Sequence, residues 1–297
     1  MRADRRTVLT GLGALGLGTT LSACSAPEQP EPPRPALDLS ALEARHGGRL
    51  GVSALDIAFN RSVSWRGQER FAYCSTFKLF LAAAALERVE RGEERLDRSI
   101  RITRADMISH APVTGPAVGR GLTVQALCQA MVEVSDNPAA NIMIREMGGL
   151  NAWRDWLRTL GDTSTTVNRW EPDLNSAMAD DPRDTCLPDQ TVGNLREVLL
   201  DERLTAGHRR LLEDWMLASP TGPNRIKAAA PTGWTVAHKT GTGANGATND
   251  IGLLRPPSGQ PVLVAAYFTE APDATTAQRE AVLAQGVREA LRALGHG

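Results

Sequence analysis

The sequence predicts an α/β fold: a five-stranded antiparallel sheet, drawn from both ends of the chain, flanked by N- and C-terminal helices and interrupted by an all-helical insertion. Three observations predict it. Strand-like runs are confined to residues 50–73 and 235–268, an Ala/Leu/Phe-rich run begins at residue 75, and an amphipathic segment over 274–294 closes the chain.

Residues 38–46 have helical spacing, and residues 50–58 and 63–73 read as two strands around an Asn60-Arg61 turn. The run over 75–90 reads as a buried helix, and helical patterns follow over 123–147, 150–160 and 192–201. Residues 235–239, 248–254 and 262–268 return to strand character between Gly-rich and Pro-Pro turns, before the closing helix over 274–294. The division expected is a sheet domain over 37–74 and 222–297 and an all-α domain over 75–221.

With 42% hydrophobic and 23% charged residues, the 297-residue chain can bury a sizeable core, which excludes a collagen-like or globally disordered polymer. Its 33 basic and 34 acidic side chains give a formal charge of −1, so a polyanionic partner such as nucleic acid has no electrostatic support. The basic residues comprise 30 arginines and three lysines, Lys78, Lys227 and Lys239. A sequence that uses arginine wherever a generic cation suffices marks those three positions for inspection. None of the four cysteines has C-x-x-C spacing, no H-E-x-x-H occurs, and His46, His110, His208, His238 and His296 are scattered. Neither a metal nor another cofactor is expected.

The first residues read as a targeting segment. Arg5-Arg6 precede an uncharged Gly/Leu/Thr stretch over 7–21 that is too short to cross a bilayer comfortably, and residues 1–23 resemble a Tat export signal. Leu21-Ser22-Ala23-Cys24 resembles a bacterial lipobox, so Cys24 is expected to become the lipidated first residue of a Pro-rich linker over 24–36. The location expected is the outer face of the cytoplasmic membrane, touched only through that anchor. Gly11-Leu12-Gly13-Ala14-Leu15-Gly16 fits a dinucleotide fingerprint, but it lies inside the export segment with no preceding strand and carries no cofactor.

Chemistry enters through the lysines. Ser75-Thr76-Phe77-Lys78 sets a hydroxyl and an amine three residues apart at the start of the buried helix, about 60° apart around its axis and about 4.5 Å along it. The two can touch. A serine hydroxyl becomes a nucleophile when a base takes its proton, and a partly desolvated lysine can serve as that base. Ser135-Asp136-Asn137-Pro138, within helical flanks, reads equally as a turn or a helix cap. Lys239-Thr240-Gly241-Thr242-Gly243 ends a predicted strand in small residues that would let a substrate carbonyl approach its edge. Two of the three lysines thus fall in S-x-x-K and K-T-G elements placed in order around S-D-N, and coincidence becomes a poor explanation.

These elements resemble those of the penicillin-recognising serine enzymes. Arg169-Trp170-Glu171-Pro172-Asp173-Leu174-Asn175 narrows the likeness to class A serine β-lactamases, actinobacterial members among them, because it resembles the start of their Ω-loop, here 169–184. The resemblance spans residues 37–294. It implies a monomer that hydrolyses the β-lactam ring of penicillin- and cephalosporin-type antibiotics, and so confers resistance, in a cleft between the sheet and helical domains. Ser75 would be the nucleophile, with the backbone N–H groups of Ser75 and Thr242 as oxyanion hole. Lys78, or Glu171 through a water, would take its proton, Ser135 would relay a proton to the ring nitrogen, and Lys239 would keep that region positive. Glu171 with Asn175 would activate the water that hydrolyses the acyl-enzyme. Asn141 would support Glu171, Arg169 would pair with Asp184 to close the loop, and the Glu171-Pro172 bond is a candidate cis peptide. Asn137 would bond the substrate's amide, Thr221, Arg225, Thr240 and Thr242 would line the end that takes its carboxylate, and His110 would sit at the rim.

The chain departs from the family at Thr248, where many members carry an arginine. Arg225 matches the alternative arginine of actinobacterial and some other members, although the residue read alone is equally a solvated loop charge. Cys74 precedes the nucleophile as in certain carbapenemases, but Gly243 stands where their second cysteine would be, and Ala82 stands where a partner for Cys128 would be. Both thiols are expected to be unpaired. A DD-peptidase would share the three motifs without needing Glu171, a penicillin sensor would acylate and stall, and an α/β-hydrolase esterase would need a G-x-S-x-G that surrounds no plausible serine here.

Overall fold

The computed structural model describes residues 36–297, so the expected export segment, Cys24 and residues 25–35 of the linker lie outside the described residues. Helix α1 (Ser40–His46) leads into β1 (Arg49–Asp56) and β2 (Arg61–Trp65). After β3 (Phe71–Ala72), a 3₁₀ turn over Cys74–Thr76 runs directly into α2 (Phe77–Glu90). Strands β4 (Ser99–Arg101) and β5 (Gly121–Thr123) precede α3 (Val124–Glu133), α4 (Asn137–Glu146) and α5 (Leu150–Thr159). Strand β6 (Thr185–Cys186) precedes α6 (Pro188–Leu199), α7 (Ala206–Leu217) and α8 (Ile226–Ala229). The chain closes with β7 (Thr235–Thr242), β8 (Thr248–Arg255), β9 (Val262–Thr269) and α9 (Thr276–Ala293).

The main sheet has five strands in the order β2-β1-β9-β8-β7, every neighbour antiparallel, which agrees with the expectation from sequence. Its layering follows from side-chain alternation along β9, a strand buried at every position. Val262, Val264, Ala266 and Phe268 join a core with Leu39 and Leu42 of the N-terminal segment and with Val282, Leu283, Val287 and Leu291 of α9. Leu263, Ala265 and Tyr267 join the second core, which contains the apolar side chains of α2 to α7. Helix α2 therefore runs buried on all sides from Phe77 to Glu87, as its Ala82-Ala83-Ala84-Ala85 run allows.

Two expected elements are corrected. The strand over 63–73 ends at Trp65, because Arg66 adopts φ +51° and Glu69 N–H closes a turn on the Arg66 carbonyl. Phe71 and Ala72 then pair with β6 in a separate two-stranded sheet. The helix over 123–147 is two helices. Ser135 takes φ +60°, Asp136 caps α4 by accepting from Ala139 N–H at 2.9 Å, and Pro138 in the first turn cannot continue a helix from before it. That break sets Ser135 in a turn beside the start of α2.

Candidate active site

Three elements bring the motifs together: the 3₁₀ turn and start of α2 carry Ser75 and Lys78, the α3–α4 turn and start of α4 carry Ser135 and Asn137, and β7 carries Lys239. Gly241 lets β7 lie against the turn that carries Ser75, since a Cβ there would sit 2.9 Å from the Tyr73 carbonyl oxygen and 3.2 Å from Cys74 Cβ. Lys78 Nζ donates to Ser75 Oγ at 3.0 Å, to the Ser135 carbonyl at 2.8 Å and to Asn137 Oδ1 at 2.5 Å. It also lies 3.3 Å from Ser135 Oγ, which Lys239 Nζ reaches at 3.2 Å from β7. Both amines are fully buried. Burial lowers the Lys78 amine against the opposing pull of Glu171, and burial plus the Lys78 charge puts the Lys239 amine well below its ordinary value.

Glu171 is delivered to this cluster by the loop over 169–184. Its Oε1 lies 2.9 Å from Lys78 Nζ and accepts from Ser75 Oγ at 3.3 Å, while Asn175 Nδ2 donates to Oε2 at 2.5 Å. Asn141 grips the Glu171 backbone twice, donating to its carbonyl at 2.9 Å and accepting from its N–H at 3.0 Å. The Glu171-Pro172 bond is cis. At the neck of the loop, the fully buried Asp184 accepts from Arg169 Nε at 2.5 Å, from the N–H groups of Asn168 and Arg169 at 2.8 and 3.0 Å, and from the Tyr73 hydroxyl at 3.1 Å. Asn175 Oδ1 is buried without a protein partner.

Residues 34–292 match the family described as the beta-lactamase enzyme family. The chain belongs to that family. The β-lactamase is 39% identical over 280 residues to β-lactamase ROB-1 of Haemophilus influenzae, covering 87% of this chain and 91% of that one. It is 40% identical over 255 residues to the carbapenem-hydrolyzing β-lactamase KPC of Klebsiella oxytoca, with 86% and 87% covered. Among solved structures it is similar to an ancestral (GNCA) class A β-lactamase, with a TM-score of 0.83 and 46% identity over 86% of this chain and 98% of that one.

Arg225 of this β-lactamase is a buried cation, which corrects its reading as a solvated loop charge. Its Nε donates to Glu280 Oε1 at 3.0 Å, Nη1 donates to the Gly241 and Asn249 carbonyls at 2.9 Å each, and Nη2 donates to Thr242 Oγ1 at 3.0 Å. Thr221 and Thr240 join through their hydroxyls at 2.8 Å. Thr248 is buried opposite Thr242 in the ladder and donates to the Gly246 carbonyl at 3.1 Å, so the cation at this end comes from the loop before α8. His110 is exposed, but its Nε2 lies 2.8 Å from the Val134 carbonyl, which ties the ring to the α3–α4 turn. Asn137 is held at both ends, since Nδ2 donates to the Ser109 carbonyl at 3.0 Å while Oδ1 accepts from Lys78.

Lys227 lies apart from the cluster and donates to the Ser219 carbonyl, beyond the end of α7, at 2.7 Å. Cys74, Cys128 and Cys186 are free and buried, and burial pushes Cys74 above the ordinary thiol range, Cys128 up to about 12 and Cys186 up to about 11. Sequence reasoning misses two residues of the site. Asn249 Nδ2 donates to the carbonyls of Ala72 and Tyr73 at 2.8 and 3.2 Å, tying β8 to the chain just before Ser75, and Glu280 anchors Arg225 from α9. Neither carries a local motif that could have flagged it.

Proposed function

We propose that Ser75 opens the rings of penicillin- and cephalosporin-type antibiotics and that Glu171 then drives water onto the ester so formed. The activity itself, hydrolysis of the β-lactam ring through a serine acyl-enzyme with resistance as its consequence, follows from membership of the family. The observation that carries the residue roles is the convergence on Ser75 Oγ of Lys78 Nζ at 3.0 Å and Glu171 Oε1 at 3.3 Å.

Ser75 Oγ bonds to the lactam carbonyl carbon as its proton passes to Lys78, or to Glu171 through a water, and the backbone N–H groups of Ser75 and Thr242 hold the oxyanion. The ring C–N bond then breaks, and Ser135, between the two buried amines, hands a proton to the departing nitrogen. In the second half, Glu171 takes a proton from water, Asn175 Oδ1 accepts from that water, and the ester opens to return Ser75. Arg225 Nη2 and the Thr242 hydroxyl take the substrate carboxylate, with Thr221 and Thr240 beside them. Asn137 and His110 border the amide side of the cleft.

The same reading assigns the sheet domain to 37–74 and 222–297, the helical domain to 75–221, and the cleft to their junction. It takes the enzyme as a monomer exported by a Tat-type signal over 1–23 and anchored by lipid on Cys24, supported by the lipobox at residues 21–24. A mass measurement on the mature N-terminus tests the anchor, since an unmodified terminus beyond Cys24 removes it. A chromogenic cephalosporin tests the chemistry. Many turnovers per enzyme are expected, and a single stoichiometric burst would leave a penicillin-binding module instead.

A further inference from the structure

A fully buried pair, His238 and Asp250, lies on the far side of β7 from Lys239, and the reaction as derived does not use it. Strand geometry places it there. Side chains alternate along β7, so His238, Thr240 and Thr242 share the face that Lys239 does not, and Asp250 stands opposite Thr240 in β8. His238 Nδ1 lies 2.9 Å from each oxygen of Asp250, and Asp250 Oδ2 also accepts from the Ile226 N–H at 3.1 Å. Ile226 opens α8 directly after Arg225. The peptide before Asp250 completes the grip, because the Asn249 carbonyl accepts from Arg225 Nη1 at 2.9 Å. His238 Nε2 is buried without a partner, so Nδ1 is the ring nitrogen whose hydrogen finds an acceptor.

Burying a carboxylate and an imidazole where two apolar side chains would pack costs desolvation, and the bond the pair makes outside itself goes to the amide next to Arg225. We propose that His238 and Asp250 are a positioning pair for Arg225: His238 fixes the Asp250 carboxylate, Asp250 fixes the Ile226 amide, and the guanidinium is thereby aimed past Thr242 at the substrate carboxylate. The inference rests on the reading of Arg225 as the carboxylate-binding cation.

The test compares kcat and KM for a penicillin and for its methyl ester, in the wild type and in Arg225→Gln, His238→Phe, Asp250→Val and His238→Asn, with thermal melting to verify folding. His238→Phe keeps the ring volume without the nitrogen. Arg225→Gln, His238→Phe and Asp250→Val should each raise KM for the acid roughly tenfold, the worth of one charge-assisted hydrogen bond, with little change in kcat. KM for the ester should stay put, and His238→Asn, whose amide donates from the Nδ1 position, should restore the wild-type KM for the acid. If Arg225→Gln leaves KM for the acid unchanged, the reading of Arg225 fails. If Arg225→Gln raises it while His238→Phe does not, or if His238→Phe harms acid and ester alike, the pair only fills the core and the inference is overturned with the reading of Arg225 intact.

Discussion

Glu171 Oε1 and Lys78 Nζ lie 2.9 Å apart with both side chains wholly buried, so the carboxylate and the amine of this site are one coupled unit. Desolvation pulls the amine toward its neutral form and the carboxylate pulls it back. A proton delivered by Ser75 therefore meets two acceptors within hydrogen-bond reach of each other, and what separates their roles is which half-reaction stalls when one is removed.

Glu171→Gln keeps the shape and the contact with Asn175 but loses the base. Ring opening should still load Ser75, while hydrolysis of the ester slows by about 10² to 10⁴, the usual worth of a positioned general base. Intact-protein mass spectrometry after mixing with a penicillin should then find a persistent adduct on Ser75. Turnover at the wild-type rate would remove Glu171 from deacylation.

Asp184→Asn tests the neck of the loop. Asp184 gathers four donors, including the Arg169 guanidinium, in a fully buried position. Removing its charge leaves Arg169 only the longer pair with Asp181, Nη2 to Oδ2 at 3.8 Å, and breaking a buried pair in this way costs about 3–5 kcal/mol. Denaturant midpoints should register that loss. Because the loop carries Glu171, deacylation should suffer more than acylation, and adduct should accumulate at steady state.

The buried amine of Lys239 gives the enzyme opposite responses to alkaline pH in stability and in activity. Its value lies well below the ordinary 10.5 through burial first and the Lys78 charge second. Between that lowered value and 10.5 the unfolded chain binds more protons than the folded one, so this residue's contribution makes stability rise with pH across the window. The penalty is full below the folded value. Activity should run the other way, since the proposed role of Lys239 requires its charge. The alkaline limb of kcat/KM should fall well below pH 10.5 and move upward in Lys239→Arg, whose guanidinium does not deprotonate. A limb that stays in place would remove Lys239 as its source.

Legibility in the sequence follows the range of each interaction. Ser75 and Lys78 are one helical turn apart, so their contact is written in a four-residue string, and the loop over 169–175 likewise carries its chemistry contiguously. The five strands of the main sheet are legible because each spans at least five residues. Strands β3 and β6 are two residues each, too short for any period to register. The break between α3 and α4 is hidden because helical spacing continues on both sides, and only the cap at Asp136 and Pro138 betray it. Arg225 is the clearest failure of local reading. Whether it is solvated or buried depends on Glu280, Asn249 and Gly241, which no short-range pattern joins to it.

Gly243 sits where any side chain would strike the loop that carries Glu171. A Cβ there would lie 2.7 Å from the Asn175 carbonyl oxygen and 2.7 Å from Cys74 Sγ. Neither is the free end of a flexible side chain, since one is backbone and the other belongs to the buried residue before the nucleophile. The strand cannot yield easily, because β7 is laddered to β8 and Arg225 holds the Gly241 carbonyl. The loop must move instead, against the bond from Ala244 N–H to the Asn175 carbonyl at 2.9 Å and those from Asn245 Nδ2 to the Ser176 and Ala177 carbonyls at 3.1 and 3.2 Å. Gly243→Ala should therefore cost about 1–3 kcal/mol, as overpacking does, and should slow ester hydrolysis more than ring opening, because Asn175 and Glu171 ride on the displaced segment. Stopped-flow separation of the two steps reads the difference directly. Equal slowing of both steps would mean that Cys74 gave way and the nucleophile moved instead.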